Sequence, residues 1–180
     1  MKIIALFGKS GAGKDTLLKM VMCTYPDLHK IITTTTRPMR DYETQGKEYH
    51  FVEPAVFAEK ILNGDLIEAT SFNNWFYGTD INQLKEDKIN IGVFSITSIE
   101  CLLEDNKLDV YPVLIDASDK VRLIRTLNRE DNPDCKEICR RFFADEQDFD
   151  DIPFDYMTIR NNELSTDWVD AFESLVNDLI

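Results

Sequence analysis

Two stretches of the 180-residue chain carry side chains whose types and spacing suit the handling of phosphate. The first is GKSGAGKDT, which sets Gly8, Ser10, Gly11, Ala12 and Gly13 ahead of Lys14. A glycine-rich turn between a strand and a helix points backbone N–H groups at one spot, where they and the helix dipole stabilise phosphate oxygens. Lys14 then reaches the outer phosphates. In the usual form of this loop a Ser or Thr follows the lysine and binds magnesium. Here Asp15 follows it, and the hydroxyl comes one place later, at Thr16. Asp15 has two readings: a first-turn acid that complements the helix dipole, or a direct or water-mediated magnesium ligand that leaves Thr16 to hydrogen-bond a phosphate oxygen.

The second stretch, TTTTRPMRDYETQGKEYHFV, places Arg37 and Arg40 three apart around a proline turn, with Tyr49 on the next extended segment. Guanidinium forks match a phosphate bidentately, and a phenol adds a further contact. Residues 120–141 hold seven basic side chains, Arg125, Arg129 and Arg141 among them, against four acidic ones. The chain as a whole carries a net charge of −13, so this island suits a small polyanion rather than a nucleic-acid polymer. The acidic run DEQDFDD (145–151) is expected to be a solvated helix end.

The elements that must hold these groups alternate. KIIALF (2–7) is a strand ending at Gly8, and LLKMVMCTY has helical spacing, so strand, loop and helix follow in the order that phosphate binding needs. HKIITTTT (29–36) is expected to be a second strand, stopped by Pro38. Between 37 and 83 the pattern becomes a loop, a short strand YHFV, a helix near 54–63, and strand pieces near 66–71 and 75–77, which is the look of an inserted subdomain. Helices are expected near 80–87, 98–105, 119–128, 135–147 and 165–179, and strands at INIGVF, 110–116 and YMTI. Alternating strands and helices imply a parallel sheet wrapped on both faces. His29 and His50 lie on expected strands and are assigned structural roles.

At 43% hydrophobic content the chain can build one sizeable core. No apolar run approaches the length of a membrane span, and KIIALF is not a signal peptide, so a soluble, cytoplasmic protein is expected. Cys23, Cys101, Cys135 and Cys139 lack disulfide-framework spacing. The pair at 135 and 139 has no second Cys or His pair nearby, and half-buried thiols are expected there rather than zinc ligands.

Thr33, Thr35, Thr36, Arg37, Arg40, Glu43, Gly46, Tyr49 and Phe51, followed by Glu68, Tyr77, Gly78 and Thr79, resemble the pattern of guanylate kinases without gaps. The resemblance continues through RLIRTLNRED…KEICRRF and IRNNE, and so covers nearly the whole chain. It implies a P-loop α/β fold of three layers with a central parallel sheet: core 1–32, 84–124 and 143–180, an acceptor-binding insertion at 33–83, and a lid at 125–142. It also implies that Arg37, Arg40, Tyr49 and Tyr77 hold the acceptor phosphate, that Thr33, Glu68 and Thr79 face the base, that Arg125, Arg129 and Arg141 close over ATP, and that Asn161 lies near adenine. A carboxylate at Glu68 suits guanine, whose N1–H and exocyclic amine are adjacent donors. The chain departs from the family at Asp15, and at Ser95 and Thr97, which stand where the family has Asp-x-Asp. Both departures are shared with a sister family, the ribose 1,5-bisphosphate phosphokinases, but that family lacks the groups found here at Arg40 and Tyr49.

The expected activity is phosphoryl transfer from ATP, with Mg²⁺, to a nucleoside monophosphate, GMP or dGMP first. Alternatives are a ribose 1,5-bisphosphate phosphokinase, a deoxynucleoside monophosphate kinase of other base specificity, and a non-catalytic guanylate-kinase-like binding module. Such modules typically lose the loop glycines or lysine, which this chain keeps. Small-molecule substrates, no nucleic acid, no membrane, and a monomer or homodimer complete the expectation. The attacking group is already an anionic phosphate oxygen, so no general base is required.

Overall fold

The run Lys2–Phe7 forms β1, and from Ile3 to Phe7 it is completely buried. A strand shielded on both faces needs apolar residues without alternation, and it sends them alternately to opposite sides. Ile4 and Leu6 enter a core with Leu17, Leu18, Val21, Trp168 and Phe172, whereas Ile3, Ala5 and Phe7 enter another with Ile99 and Leu102. The computed structural model in which this is seen describes residues 1–40, 43–72, 74–129, 131–162 and 167–179.

After β1 come α1 (Lys14–Thr24), β2 (His29–Lys30), β3 (Thr34–Thr35), β4 (His50–Phe51), α2 (Pro54–Asn63), β5 (Leu66–Phe72) and β6 (Trp75–Asp80). They are followed by β7 (Asn90–Val93), α3 (Ile96–Glu104), β8 (Asp109–Asp116), α4 (Asp119–Leu127), α5 (Cys135–Asp148), β9 (Met157–Arg160) and α6 (Asp167–Leu179). The main sheet has the order β2-β7-β1-β8-β9, every pairing parallel. Helices α1 and α6 supply residues to one of its cores and α3 to the other, which is the layered α/β arrangement expected from alternation. A second sheet, β4-β3-β6-β5, is built within residues 34–80. Its β5–β6 hairpin is antiparallel, with a register shift between Leu66 and Glu68.

Three expectations change. The strand expected over 29–36 is two strands in different sheets, β2 beside β7 and β3 between β4 and β6. Where the chain passes between the sheets, Gln83 replaces the missing ladder: its amide accepts from Ile32 N–H at 3.0 Å and donates to Ile32 C=O at 2.7 Å. The helix expected near 80–87 is one 3-10 turn, Ile81–Gln83, capped by Asp80. Past it, the Asn90 side chain accepts from Lys85 N–H at 2.9 Å and donates to Lys85 C=O at 2.9 Å, so side chains outbid the helix for the backbone. The last helix begins at Asp167, and positions 165–166 of the expected span lie outside the described residues. Cys135 and Cys139 are exposed rather than half-buried, and Cys23 is exposed too. Among the described residues no helix is long and apolar enough to cross a membrane.

Phe172 joins α6 to the sheet and to Tyr25, whose ring centroid is 5.9 Å away. Phe172→Ala should cost roughly 3–5 kcal/mol in urea unfolding, the range for emptying an aromatic site in a packed core.

Candidate active site

The loop after β1 turns hard against the sheet. Gly8 has φ +150°, and a Cβ there would lie 2.3 Å from the carbonyl oxygen of Ile115 on β8. Gly13 takes the left-handed conformation at φ +97° directly before α1, and a Cβ would lie 2.4 Å from Asn161 Nδ2. At Gly8 the obstacle is rigid backbone and at Gly13 it is the left-handed φ, so both positions favour glycine and leave the loop backbone uncovered. The first N–H groups of α1, from Lys14, Asp15 and Thr16, have no partner one turn back, so they add donors at the same place.

Lys14 Nζ folds back on the loop, donating to the carbonyls of Gly8 at 2.7 Å and Lys9 at 3.2 Å. Desolvation lowers its pKa, and the carboxylates of Asp15 and Asp145 oppose that shift. Asp15 and Thr16 are exposed on the first turn of α1, two hard oxygen donors beside the cradle. Asn161, just after β9, donates to Ala12 C=O at 2.7 Å, and Arg125 reaches the same oxygen at 3.3 Å. The exposed Arg129 contributes to the field at Lys14. Arg141 instead gives its Nε to Glu137 at 2.8 Å. The hydrogen bond from Arg140, followed by that from Arg141, holds the Glu137 carboxyl at about 2. Of the two acids within reach of a lid arginine by spacing, Glu137 is thus the partner of Arg141, while Glu130 lies outside the described residues.

The cluster expected to hold the acceptor phosphate hangs on β3. Thr35 Oγ1 donates to Phe76 C=O at 2.9 Å on β6 and accepts from Arg37 N–H at 3.1 Å, which fixes where Arg37 leaves the sheet. The nearly buried Glu43 accepts from Arg37 at 2.6 Å with one oxygen and from Arg40 N–H at 2.9 Å with the other. Burial raises the Glu43 pKa, but these donors outweigh it and hold the carboxyl below its ordinary value. The Arg37 guanidinium lies 5.3 Å from the Tyr49 ring and 5.4 Å from the Phe51 ring, and Tyr77 meets Tyr49 at 6.1 Å. Burial, then the charge of Asp15, pushes the Tyr49 phenol up to about 12, so it stays a donor. That influence of Asp15 links the phosphate loop to this cluster.

Below it lies the hairpin. Glu68 on β5 stands opposite Thr79 on β6, just past the register shift. Glu68 is 4% exposed, and its Oε1 accepts from Thr79 Oγ1 at 2.8 Å. Among the described residues its Oε2 is buried with no hydrogen-bond partner. Burial raises its pKa, against the pull of the Thr79 and Ser98 hydroxyls. Thr33 precedes β3 and gives its carbonyl to His50 N–H at 3.0 Å.

Thr97 is exposed on α3, and Ser95 caps that helix by accepting from Ser98 N–H at 3.1 Å. The hydroxyl near Glu68 belongs to Ser98, which is 4% exposed and touches Ser95 Oγ at 2.9 Å. A sequence reading that stops at Thr97 misses it. The signal was available in the helical spacing of Ser98, Ile99 and Leu102, which puts all three on the inward face of α3. Arg122 and Asp145, both in contact with the loop, were missed as well.

A family model described as guanylate kinase matches residues 1–178. The guanylate kinase of Frankia casuarinae is 32% identical over 162 residues, covering 84% of this chain and 88% of that protein. That of a Nostoc species is 37% identical over 92 residues, and the match covers 49% of this chain and 46% of that one, about half of each. In fold the chain is similar to a crystal structure of guanylate kinase from Anaplasma phagocytophilum, with a TM-score of 0.70, 19% identity, and coverage of 98% of this chain and 85% of that one. The match over residues 1–178 takes in the loop, the arginine turn and the Glu68 hairpin alike, and the chain belongs to the guanylate kinase family.

Proposed function

We propose that the chain transfers the γ-phosphate of ATP to GMP, yielding ADP and GDP. One observation carries the choice of acceptor: Glu68 is buried with one oxygen hydrogen-bonded to Thr79 and the other, among the described residues, without a hydrogen-bond partner. A buried carboxylate oxygen left unpaired is costly, and it is stabilised by a ligand that brings N–H donors. Guanine offers two adjacent ones, N1–H and the exocyclic amine, whereas adenine has no such pair.

On this reading residues 33–83 bind the acceptor and residues 125–142 act as the lid. Arg37, ordered by Glu43, acts with Arg40, Tyr49 and Tyr77 on the acceptor phosphate. Thr33 and Thr79 line the approach to the base, with Ser98, rather than the exposed Thr97, as the α3 hydroxyl beside Glu68. Gly8, Ser10, Gly11, Ala12 and Gly13 form the cradle for ATP, Asn161 borders it, and Lys14 leaves its two carbonyl partners for the transferring group. Arg125 and Arg129 converge on that group, and Arg141 joins them by releasing Glu137. The acceptor's phosphate oxygen attacks the γ-phosphorus as the bond to the bridging oxygen breaks. Alignment and charge neutralisation, not proton transfer, lower the barrier. Asp15 and Thr16 have the hard, exposed oxygens to hold magnesium, which neutralises charge on the phosphates when bound.

Four measurements test this reading. In an ADP-release assay, GMP should outpace AMP, dTMP and ribose 1,5-bisphosphate; preference for the sugar bisphosphate would move the chain to the sister activity. Glu68→Gln should lower kcat/KM for GMP by about a hundredfold or more, with KM for ATP within about twofold of wild type, because the amide turns one acceptor into a donor. The same variant should be more stable at neutral pH. The folded-state pKa of Glu68 lies above its unfolded value, so its stability contribution is present at low pH and lost as pH rises through the folded pKa. Thermal melts should show Glu68→Gln ahead by about 1–2 kcal/mol at pH 7.5, and the gap closing below the usual carboxylate range. Asp15→Ser should lose activity by about tenfold at low Mg²⁺ and regain it at high Mg²⁺. Unchanged or higher activity at every Mg²⁺ concentration would rule Asp15 out as a ligand.

A further inference from the structure

Among the described residues, the largest fully buried side chain is a charged one, Arg122 of α4. Its guanidinium donates to Asp119 and to Asp145, each at 2.6 Å, and it lies 3.8 Å from Glu146 and 4.4 Å from the Phe142 ring. Its Nε donates to Ser10 C=O at 2.9 Å. The oxygen of Asp145 that Arg122 holds also accepts from Ser10 N–H at 2.8 Å. Both backbone groups of Ser10, the third residue of the phosphate loop, are therefore held by one ion pair.

Burying such a pair is a poor route to stability, because desolvation offsets most of the attraction and apolar residues of similar size pack as well. What an ion pair adds is direction. A guanidinium fixed by two carboxylates presents its remaining N–H along one line, and a carboxylate fixed by a guanidinium accepts from one side. Arg122 lies three residues before Arg125 on α4, and Asp145 four residues after Arg141 on α5, so the pair joins the two helices on either side of the lid segment. Lys14 senses both members, through Asp145 and Arg122.

We infer that Arg122 and Asp145 are positioning residues for the phosphate loop: they clamp Ser10 from both sides and anchor the two ends of the lid to the cradle that ATP occupies. The inference rests on the proposed use of ATP. Neither side chain touches the nucleotide in this account; both act through the backbone of Ser10.

Asp145→Ala tests it, with Asp145→Asn, which keeps one acceptor oxygen, carrying the test should the alanine variant not fold. Without ligand, hydrogen exchange of the loop amides should be faster in either variant. By calorimetry with Mg²⁺, the Kd for ATP should rise by about tenfold in Asp145→Ala and less in Asp145→Asn, since small displacements of a binding loop are costly. KM for ATP should rise in parallel while KM for GMP holds, a split that general destabilisation would not produce. Asp148→Asn, which removes an exposed acid of the same helix outside the clamp, should match wild type. Unchanged loop exchange, or an ATP Kd within about twofold of wild type in a folded Asp145 variant, would overturn the assignment, as would an equal loss in Asp148→Asn. A wild-type chain that binds no ATP would instead overturn the kinase reading.

Discussion

The shape of the glycine loop proposed to cradle phosphate follows from how closely it lies on the sheet. Gly8 sits so near the Ile115 carbonyl that a Cβ would strike rigid backbone, and Gly13 lies against the Asn161 amide in a left-handed conformation that other residues rarely adopt. These approaches come from two different strand ends, β8 and the residue after β9, so the loop is seated on the sheet edge by parts of the chain more than a hundred residues away. Its backbone can present N–H groups outward only because the inward space is filled by other backbone and one amide. The parallel sheet makes this possible: β1, β8 and β9 all end at the same edge, and their loops are forced together.

The second constraint is charge. On the proposed reading, a chain with a net charge of −13 that takes two polyanions cannot rely on its overall field and has to concentrate its cations. Each of the arginines assigned to phosphate whose partner is described here is held by an oxygen: Arg37 by Glu43, Arg125 by Ala12 C=O, Arg141 by Glu137. The carboxylates serve as holders as well as sources of negative charge. Glu68 is the exception, a buried acid with no ion pair among the described residues, and on the proposed reading it is where folding stability and ligand recognition oppose each other most directly.

Much of this was legible in the sequence, for physical reasons that also mark where legibility ends. The unbroken apolar run of β1 can only be a strand buried on both faces, and glycines before Lys14 can only be a tight turn into a helix. Where backbone geometry and composition agree, pattern suffices. The segment 29–36 keeps its β-character throughout, but its register changes sheets at Ile32, and the side chain that makes this possible, Gln83, lies about fifty residues on. The helix expected near 80–87 fails for a similar reason: Asp80, Gln83 and Asn90 hydrogen-bond backbone that a helix would need, and propensity does not register such competition. Asp145 looked like one more acid in a solvated run, yet it is largely shielded, because the ion pair that buries it depends on α4 and the loop meeting in space. Ser98 was overlooked next to Thr97, since one helical step decides which hydroxyl faces inward.

Asp15 joins these threads. By sequence it is a departure in the phosphate loop; in the fold its charge acts on Lys14 of the loop, on Lys30, and on Tyr49 of the acceptor cluster. On the proposed reading the carboxylate thus lies where two anionic substrates must approach each other, and it adds to their mutual repulsion unless a cation intervenes. A hydroxyl at that position would bring no such charge. If Asp15 and Thr16 held a cation, its charge would offset that of the carboxylate, and metal binding and acceptor binding would be coupled more tightly here than in a loop with a neutral ligand.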